Sequence, residues 1–266
     1  MNDVFVLGTD TEIGKTRIAG LIAAYFLEVI GAFPNNGLED QLPVRKLITQ
    51  KWIQTGISQH EIDLRVHESI IRSSSLDTTT SQSFLKAVFD EWDGFNNDRS
   101  PFEFEFPGAP NLCSFLENSS VSVDKIKQSY FSLSDSFETV IVEGLGGAFV
   151  PLDSQTLLID VVCDLKLPVI LVIGNKLGCL NHGLMTIDAI VRRDIPLVGF
   201  ILNDCHELET DEMTLIADSN EDELKRLYPD YFLGRLPFSR NICESYQSFK
   251  KIGPLIFDKC MDDIKP

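Results

Sequence analysis

The segment at residues 8–16, GTDTEIGKT, constrains the fold of this chain more than any other feature. Residues 4–7 form a short apolar run typical of a buried strand, and residues 15–30 follow with helical periodicity. A strand, a glycine-bounded loop and a helix in this order direct successive backbone N–H groups and the positive end of the helix toward one point. The segment therefore predicts a loop that binds phosphate.

Two side chains at the end of this loop carry the chemistry of a nucleoside triphosphate. Lys15 is placed to reach the β- and γ-phosphates, and the hydroxyl of Thr16 to ligate Mg²⁺. The general pattern GxxxxGK followed by Ser or Thr has glycine at position 9, where this chain has Thr9 and carries Gly8 one residue early. A chance turn entering a helix would not predict the lysine–threonine pair. We expect nucleotide contacts from Glu12, Ile13, Gly14, Lys15, Thr16 and Arg17.

Apolar runs farther along the chain predict a parallel sheet. The runs at 139–143, 168–174 and 197–202 are continuously apolar and separated by helical spacers, as in strands that are covered on both faces. The expected fold is one α/β domain of the P-loop NTPase type over 1–266, with a mostly parallel sheet and helices on both faces. The other predicted elements are strands at 46–53 and 231–233, helices at 61–72, 84–92, 123–134, 181–192 and near 222–227, and an amphipathic segment at 242–257.

Two stretches look like insertions into this fold. Residues 31–45 are dense in turn-forming residues, and residues 73–105 mix a polar serine- and threonine-rich run with a short helical pattern.

Charge and cysteine usage exclude several classes of protein. The chain has 23 Lys plus Arg against 40 Asp plus Glu, a net charge of -17, which disfavours binding to nucleic acid. It has no signal-peptide pattern and no apolar run of the ~20 residues that a membrane helix needs. Its six cysteines show no CxxC spacing, which argues against a zinc site and suits a reducing compartment. We expect a cytoplasmic protein.

Glu143 is a candidate for a second acidic element near the phosphates. It ends a predicted buried strand and precedes Gly144-Leu145-Gly146-Gly147. A carboxylate in this place can hold Mg²⁺ or its water, and the glycines let the backbone approach phosphates closely. The alternative is a hydrated carboxylate at the end of a strand.

Five segments taken together resemble the dethiobiotin synthetases, a family of the P-loop superfamily. They are GTDTEIGKT at 8–16, KWIQTG at 51–56, VEGLGGAFVPL at 142–152, NKLGCLNHGLMT at 175–186 and GFILND at 199–204, with a weaker match in LGRLPF at 233–238. They follow the order of the family, whose phosphate loop also carries its first glycine one place early.

The resemblance implies an ATP- and Mg²⁺-dependent ring closure. One amine of 7,8-diaminopelargonic acid takes up CO₂ as a carbamate, ATP phosphorylates the carbamate, and the second amine closes the ureido ring. Phosphorylation makes a poor electrophile reactive, and phosphoryl transfer needs mainly positioning and neutralisation of charge.

The resemblance also assigns roles to residues around the phosphates. Lys15, Lys51, Thr11 and Glu12 would face the reacting groups, and Thr55 would bind the substrate. Thr16, Asp63 and Glu143 would hold Mg²⁺. Taken alone, Lys51 could be a surface cation and Asp63 a first-turn residue of its helix.

Two further regions receive roles in the same way. Leu177, Gly178, Leu180 and Asn181 would lie at a homodimer interface and bind the substrate carboxylate at a helix N-terminus, whereas Cys179 and His182 are expected to be structural. Asn203 would read the edge of adenine, and the base would be flanked by Leu236, Pro237 and Phe238. Further contacts with the nucleotide would come from Gly144, Leu145, Gly146 and Asp204.

Two alternatives remain open beside this enzyme. One is a nucleotide-switched ATPase of the partition type, which carries an extra lysine early in its phosphate loop, where this chain has Thr9, Asp10 and Thr11. The other is a non-catalytic homologue, because Trp52 stands where the family commonly has proline and Asn111 where it commonly has histidine.

Overall fold

The computed structural model describes residues 3–29, 46–58, 62–74 and 79–261, without the side chains of 79–81 and 261. The insertion predicted at 31–45 lies outside the described residues. None of the helices in the described ranges is long and apolar enough to cross a membrane.

The described residues form eight strands. They are β1 Val4–Gly8, β2 Ile48–Lys51, β3 Ile53–Thr55, β4 Phe102–Phe104, β5 Val140–Glu143, β6 Val169–Gly174, β7 Leu197–Asn203 and β8 Phe232–Leu236. Six of them build one sheet in the order β2-β5-β1-β6-β7-β8, and β3 and β4 pair in a small second sheet. Every pair within both sheets is parallel.

Helices connect the strands, as parallel pairing requires. They are α1 Lys15–Val29, α2 Asp63–Ser74, α3 Thr79–Asp93, α4 Asn96–Arg99, α5 Pro110–Leu116, α6 Val123–Ser136, α7 Leu158–Leu165, α8 Cys179–Val191, α9 Asp211–Leu227, α10 Ile242–Phe249 and α11 Gly253–Met261. A 3-10 turn, Pro229–Tyr231, precedes β8.

The core lies on both faces of the central sheet. Every residue of β1, β5 and β6 is buried, so side chains that alternate between the two faces are covered on each of them. The predicted α/β fold with a mostly parallel, doubly covered sheet is therefore confirmed.

Several element bounds differ from the sequence prediction. The strand predicted at 46–53 is two strands, because the chain leaves the central sheet at Trp52 and β3 pairs with β4 instead. The predicted helix near 222–227 is only the end of α9. Most of α9 is exposed and polar, so its sequence gives little periodic signal; its buried residues are Ala217, Asn220 and Leu224. Helix α7 was not predicted, and the segment at 242–257 is two helices, α10 and α11.

The stretch at 73–105 contains ordered elements. It includes α3, α4 and β4, and Trp92 of α3 is fully buried and donates a hydrogen bond to the carbonyl of Leu47, beside β2. The described part of this stretch therefore packs against the core.

Parallel pairing brings the carboxyl ends of the central strands to one edge. Lys51 ends β2, Glu143 ends β5 and Asn203 ends β7 at this edge, and the segment at 8–16 leaves β1 there. The residues of interest for function therefore meet although they are far apart in the chain.

Candidate active site

The phosphate loop bends through two backbone positions of the left-handed region. They are Glu12 with φ 55° and Gly14 with φ 89°. Glu12 and Thr11 are exposed at the tip, Ile13 is buried below it, and Arg17 is half-buried in the first turn of α1. The loop thus presents its backbone and two polar side chains to solvent at the N-terminus of a helix.

The early glycine of this loop makes room for the lysine. A Cβ atom on Gly8 would lie 2.7 Å from Cδ of Lys15, so the aliphatic stem of Lys15 fills the space above that residue. The ammonium donates a hydrogen bond to the carbonyl of Asp10, at 2.6 Å. Burial and the nearby Lys51 ammonium lower the pKa of Lys15 to about 8.

Glu143 is the centre of a buried cluster of charges. Its Oε1 accepts hydrogen bonds from the hydroxyl of Thr16 and the ammonium of Lys51, both at 2.8 Å. Lys51 also pairs with Oδ2 of Asp63 at 2.6 Å and donates to the carbonyl of Gly144 at 3.0 Å. The structure therefore brings together four predicted site residues from α1, β2, α2 and β5.

The charges of this cluster stabilise one another. Burial alone would raise the pKa of the Glu143 carboxyl, but the Lys51 ammonium and a hydrogen bond with His67 lower that pKa to about 2. Burial alone would lower the pKa of Lys51, but Glu143 and Asp63 raise it. Both groups are consequently charged at neutral pH.

His67 belongs to this cluster and was missed by sequence reasoning. Its Nε2 lies 2.9 Å from Oε2 of Glu143, and its side chain is fully buried. The one signal that could have found it is its spacing of four residues from Asp63, which places both on the same face of α2.

The oxygen atoms of the cluster suit Mg²⁺. Within the described ranges, no three His, Cys, Asp or Glu side chains are grouped to hold a metal by themselves. Mg²⁺ commonly binds through one or two carboxylates plus phosphate oxygens and water, and prefers oxygen ligands. Thr16, Asp63 and Glu143 supply such oxygens next to the phosphate loop, so the donor set fits the ion together with a triphosphate.

A glycine turn after β5 lies against the phosphate loop. Gly144 is buried, Leu145 is half-buried, and Gly146 has φ 55°. A Cβ on Gly147 would lie 3.2 Å from the carbonyl oxygen of Thr9. The two backbones therefore approach closely at the place where phosphates would bind.

Asn203 and Asp204 already have protein partners. The amide nitrogen of Asn203 donates to the carbonyl of Ile13 at 2.8 Å and so braces the phosphate loop. The Asp204 carboxylate accepts from Arg235 at 2.8 Å and from Asn175 at 2.7 Å. Both residues thus hold neighbouring segments of the site in place. That they also contact a nucleotide remains a prediction.

The segment predicted to flank the base lies beside these residues. The N–H of Asp204 donates to the carbonyl of Leu236 at 3.0 Å. Leu236 is buried, Pro237 is exposed and Phe238 is half-buried. Phe238 lines a cavity of about 380 Å³ together with His206, Glu207, Glu209, Met213 and Arg240.

The predicted substrate residues lie in two segments that hydrogen bonds and an ion pair tie to the site. Thr55 ends β3, which is tied to α2 because Gln54 accepts a hydrogen bond from the N–H of Asp63 at 3.2 Å. The turn before α8 is tied to the phosphate loop by Lys176, whose ammonium lies 3.1 Å from Asp10.

That turn is open to solvent at the start of α8. Leu177 is 84% exposed, and Gly178 has φ 90°. In the first turn of α8, Cys179 is buried, Leu180 half-buried and Asn181 and His182 exposed.

The two departures from the family pattern have different environments. Trp52 is fully buried, with its ring centroid 4.7 Å from that of Phe5, and its Nε1 donates to Gln50 at 3.0 Å. It is a core residue. Asn111 is exposed in the first turn of α5.

Comparison with known proteins gives consistent relatives. The model of a family described as an AAA domain matches residues 58–244. An ATP-dependent dethiobiotin synthetase BioD of Aeromonas hydrophila is 30% identical over 91% of this chain and 92% of its own length. A protein of the same name from Lysinibacillus sphaericus is 32% identical over 76% of each chain.

One solved structure agrees with this chain at the level of the fold. The MinC:MinD cell division protein complex of Aquifex aeolicus contains a chain that matches with a TM-score of 0.50 at 10% identity, over 98% of this chain and 95% of that one.

Proposed function

This chain belongs to the dethiobiotin synthetase family, and from that premise we propose that it closes 7,8-diaminopelargonic acid with CO₂ to dethiobiotin at the expense of ATP, in biotin biosynthesis. The observation that carries the proposal is the meeting of Lys15, Lys51, Thr16, Asp63 and Glu143 at one edge of the sheet. Two ammonium groups beside a phosphate loop offer cations to two anions at once, a triphosphate and a carbamate.

The proposed reaction proceeds in three steps. A neutral amine of the substrate attacks CO₂, forms a C–N bond and loses a proton, which gives the carbamate. A carbamate oxygen then attacks the γ-phosphorus of ATP, the bond to the β-phosphate oxygen breaks, and ADP leaves. The second amine attacks the carbonyl carbon and loses a proton, the bond from that carbon to the phosphate oxygen breaks, and phosphate leaves as the ring closes.

The chain's own residues supply position and charge for these steps. Lys15 and the amides of the loop, with Thr11 and Glu12 at its tip, would hold the β- and γ-phosphates. Lys51 would contact the carbamate and the transferred phosphoryl group, and Thr55, four residues farther on, would orient the substrate. Mg²⁺, held by Thr16, Asp63 and Glu143, would neutralise phosphate charge when bound with ATP.

The turn before α8 supports a homodimer in this proposal. The N-terminus of α8 has no side-chain cap and directs its partial positive charge toward a carboxylate, and the exposed Leu177 next to it offers apolar surface. In the proposed dimer, Leu177, Gly178, Leu180 and Asn181 bind the carboxylate of a substrate at the interface.

The alternatives have less support. A partition-type ATPase would carry a lysine among the early positions of its phosphate loop. This chain has Asp10 among these positions, and the Asp10 carboxylate pairs with Lys176. The burial of Trp52 in the core removes one of the two reasons for suspecting a non-catalytic homologue.

The test is the dependence of ADP formation on both co-substrates. We expect ADP and dethiobiotin to appear in equal amounts only when the diamine and bicarbonate are both present, and Lys51→Ala to abolish both products. Lys46→Ala is the control, because Lys46 pairs with Glu138 near the opposite ends of β2 and β5. ADP release at the same rate without the diamine would refute the proposal.

A further inference from the structure

His67 is a buried polar side chain that the proposed reaction does not use. It lies in α2, one turn after Asp63, with its Nε2 2.9 Å from Oε2 of Glu143. Its Nδ1 is buried without a hydrogen-bond partner among the described residues. An unpaired buried nitrogen costs stability, so packing alone would favour an aliphatic residue here.

The bond to Glu143 accounts for a histidine at this place. Glu143 is ionised, since its Oε1 lies 2.8 Å from the buried ammonium of Lys51, and an ionised carboxylate only accepts hydrogen bonds. Nε2 of His67 must therefore carry the proton and donate it to Oε2. The unpaired Nδ1 is the consequence of keeping this one bond.

The two oxygens of Glu143 face different partners. Oε2 faces His67, and Oε1 faces the hydroxyl of Thr16 and the ammonium of Lys51. A bond on Oε2 hinders rotation of the carboxylate and so keeps Oε1 on Thr16. Because Thr16 donates its proton to Oε1, the lone pairs of its hydroxyl oxygen stay available to a cation.

Helices α1 and α2, which carry Thr16 and His67, pack closely against each other. A Cβ on Gly20 of α1 would lie 2.8 Å from Cδ1 of Ile70 and 3.3 Å from Cα of His67. Thr16 lies at the start of the same helix α1. The helix pair therefore holds Thr16 and His67 on either side of one carboxylate.

We propose that His67 is a positioning residue, which holds the Glu143 carboxylate in the orientation that supports Thr16 and the divalent cation accompanying ATP. It contacts neither nucleotide nor substrate and transfers no proton. The inference rests on one part of the proposed function, namely that ATP binds together with a divalent cation. It does not depend on which amine is carboxylated.

The test measures binding of a cation without turnover. Mn²⁺ serves as the probe, with a non-hydrolysable ATP analogue and no diamine, and free Mn²⁺ is followed by electron paramagnetic resonance. Outer-shell partners of metal ligands are typically worth about 10–100-fold in metal affinity, so we expect His67→Leu to weaken Mn²⁺ binding about tenfold or more. Binding of the analogue in EDTA should be unchanged in the same variant, because His67 in this proposal contacts no part of the nucleotide.

Two conservative variants separate positioning from packing. The amide nitrogen of His67→Gln can donate from near the position of Nε2, so we expect this variant to restore most of the Mn²⁺ affinity. His67→Asn is shorter and should not. Ile70→Val is the packing control, because Ile70 packs against Gly20 in the same helix pair and its aliphatic side chain cannot donate a hydrogen bond to Glu143.

Several outcomes would overturn the proposal. One is an unchanged Mn²⁺ affinity in a folded His67→Leu variant. Another is an equal Mn²⁺ affinity in the His67→Gln and His67→Asn variants. The second comparison decides the question if the Leu variant does not fold. In the wild-type protein, nitrogen NMR that finds His67 protonated only on Nδ1 would also overturn it. Failure to make dethiobiotin would leave all these measurements intact, so the two proposals fail separately.

Discussion

At the scale of single residues, the site concentrates positive charge inside an acidic chain. The net charge is -17, yet Lys15 and Lys51 lie buried next to the phosphate loop. Lys51 remains charged because Glu143 and Asp63 raise its pKa against the effect of burial. An anion site can therefore exist locally, since short-range pairing in a buried site outweighs the screened field of distant surface carboxylates.

Gly14 provides a prediction at this scale. A Cβ there would collide with the amide nitrogen of Asn203, and its φ of 89° disfavours any side chain. We expect Gly14→Ala to weaken ATP binding at least about tenfold, because the loop must move to relieve both the collision and a backbone strain of roughly 1–3 kcal/mol. Isothermal titration with ATP measures this.

Gly178 is the matched control for Gly14. Its φ is 90°, but a Cβ there meets nothing within 4 Å. Gly178→Ala therefore introduces backbone strain at a positive φ but no steric collision. We expect this variant to keep the ATP affinity of the wild type. Equal losses in the two variants would contradict the role of Asn203 in bracing the loop.

At the scale of elements, one ion-pair network joins β7, β8 and α9. Arg235 of β8 pairs with Asp204, which follows β7, at 2.8 Å and with Asp218 of α9 at 2.6 Å. Asn175, after β6, donates to Asp204 and accepts from Asn220 of α9 at 3.0 Å. The network fixes the strand ends that support the loop and the segment containing Phe238.

Loss of Arg235 should therefore destabilise these elements together. We expect Arg235→Met to lower the free energy of unfolding by about 3 kcal/mol, because it leaves the buried Asp204 carboxylate without its cation. Urea unfolding followed by circular dichroism measures the change. Arg226→Met removes a pair with Glu223 that water screens, so it should leave the free energy of unfolding nearly unchanged. Similar losses in both variants would show that the network contributes little.

At the scale of the whole molecule, the functional groups gather at the carboxyl edge of the sheet. The exposed turn before α8 lies at this edge and is tied to the phosphate loop through Lys176 and Asp10. If two copies associate through this turn, each copy completes the substrate site of the other.

A charge placed on this turn tests the proposed dimer. We expect Leu177→Asp to give monomers in light scattering and to raise the KM for the diamine at least about tenfold, since burying an unpaired carboxylate in an interface is costly. ATP binding should be unchanged. Leu215→Asp is the control, because Leu215 is 70% exposed on α9, and we expect it to alter neither property. A Leu177→Asp dimer with normal KM would exclude this surface as the interface.

The sequence by itself determined the features that depend on local geometry. A strand, a loop with glycines at its ends and a helix beginning Lys15-Thr16 form a phosphate loop through backbone conformation and neighbouring residues, so this element could be predicted. The continuously apolar strands likewise indicated that both faces of the sheet are buried. Burial on both faces is typical of a parallel sheet, so the sheet type could be predicted as well.

Only the tertiary structure decided which side chains complete the site. Thr16 bonds Glu143 across 127 positions of the chain, and His67 bonds the same carboxylate across 76. The predicted strand at 46–53 divides because Trp52 is drawn into the core against Phe5. Packing of distant elements settles such contacts. Glu143 could be predicted as a candidate from its place at the end of a strand, whereas the spacing of His67 from Asp63 only puts these two on one face of α2 and does not point to Glu143.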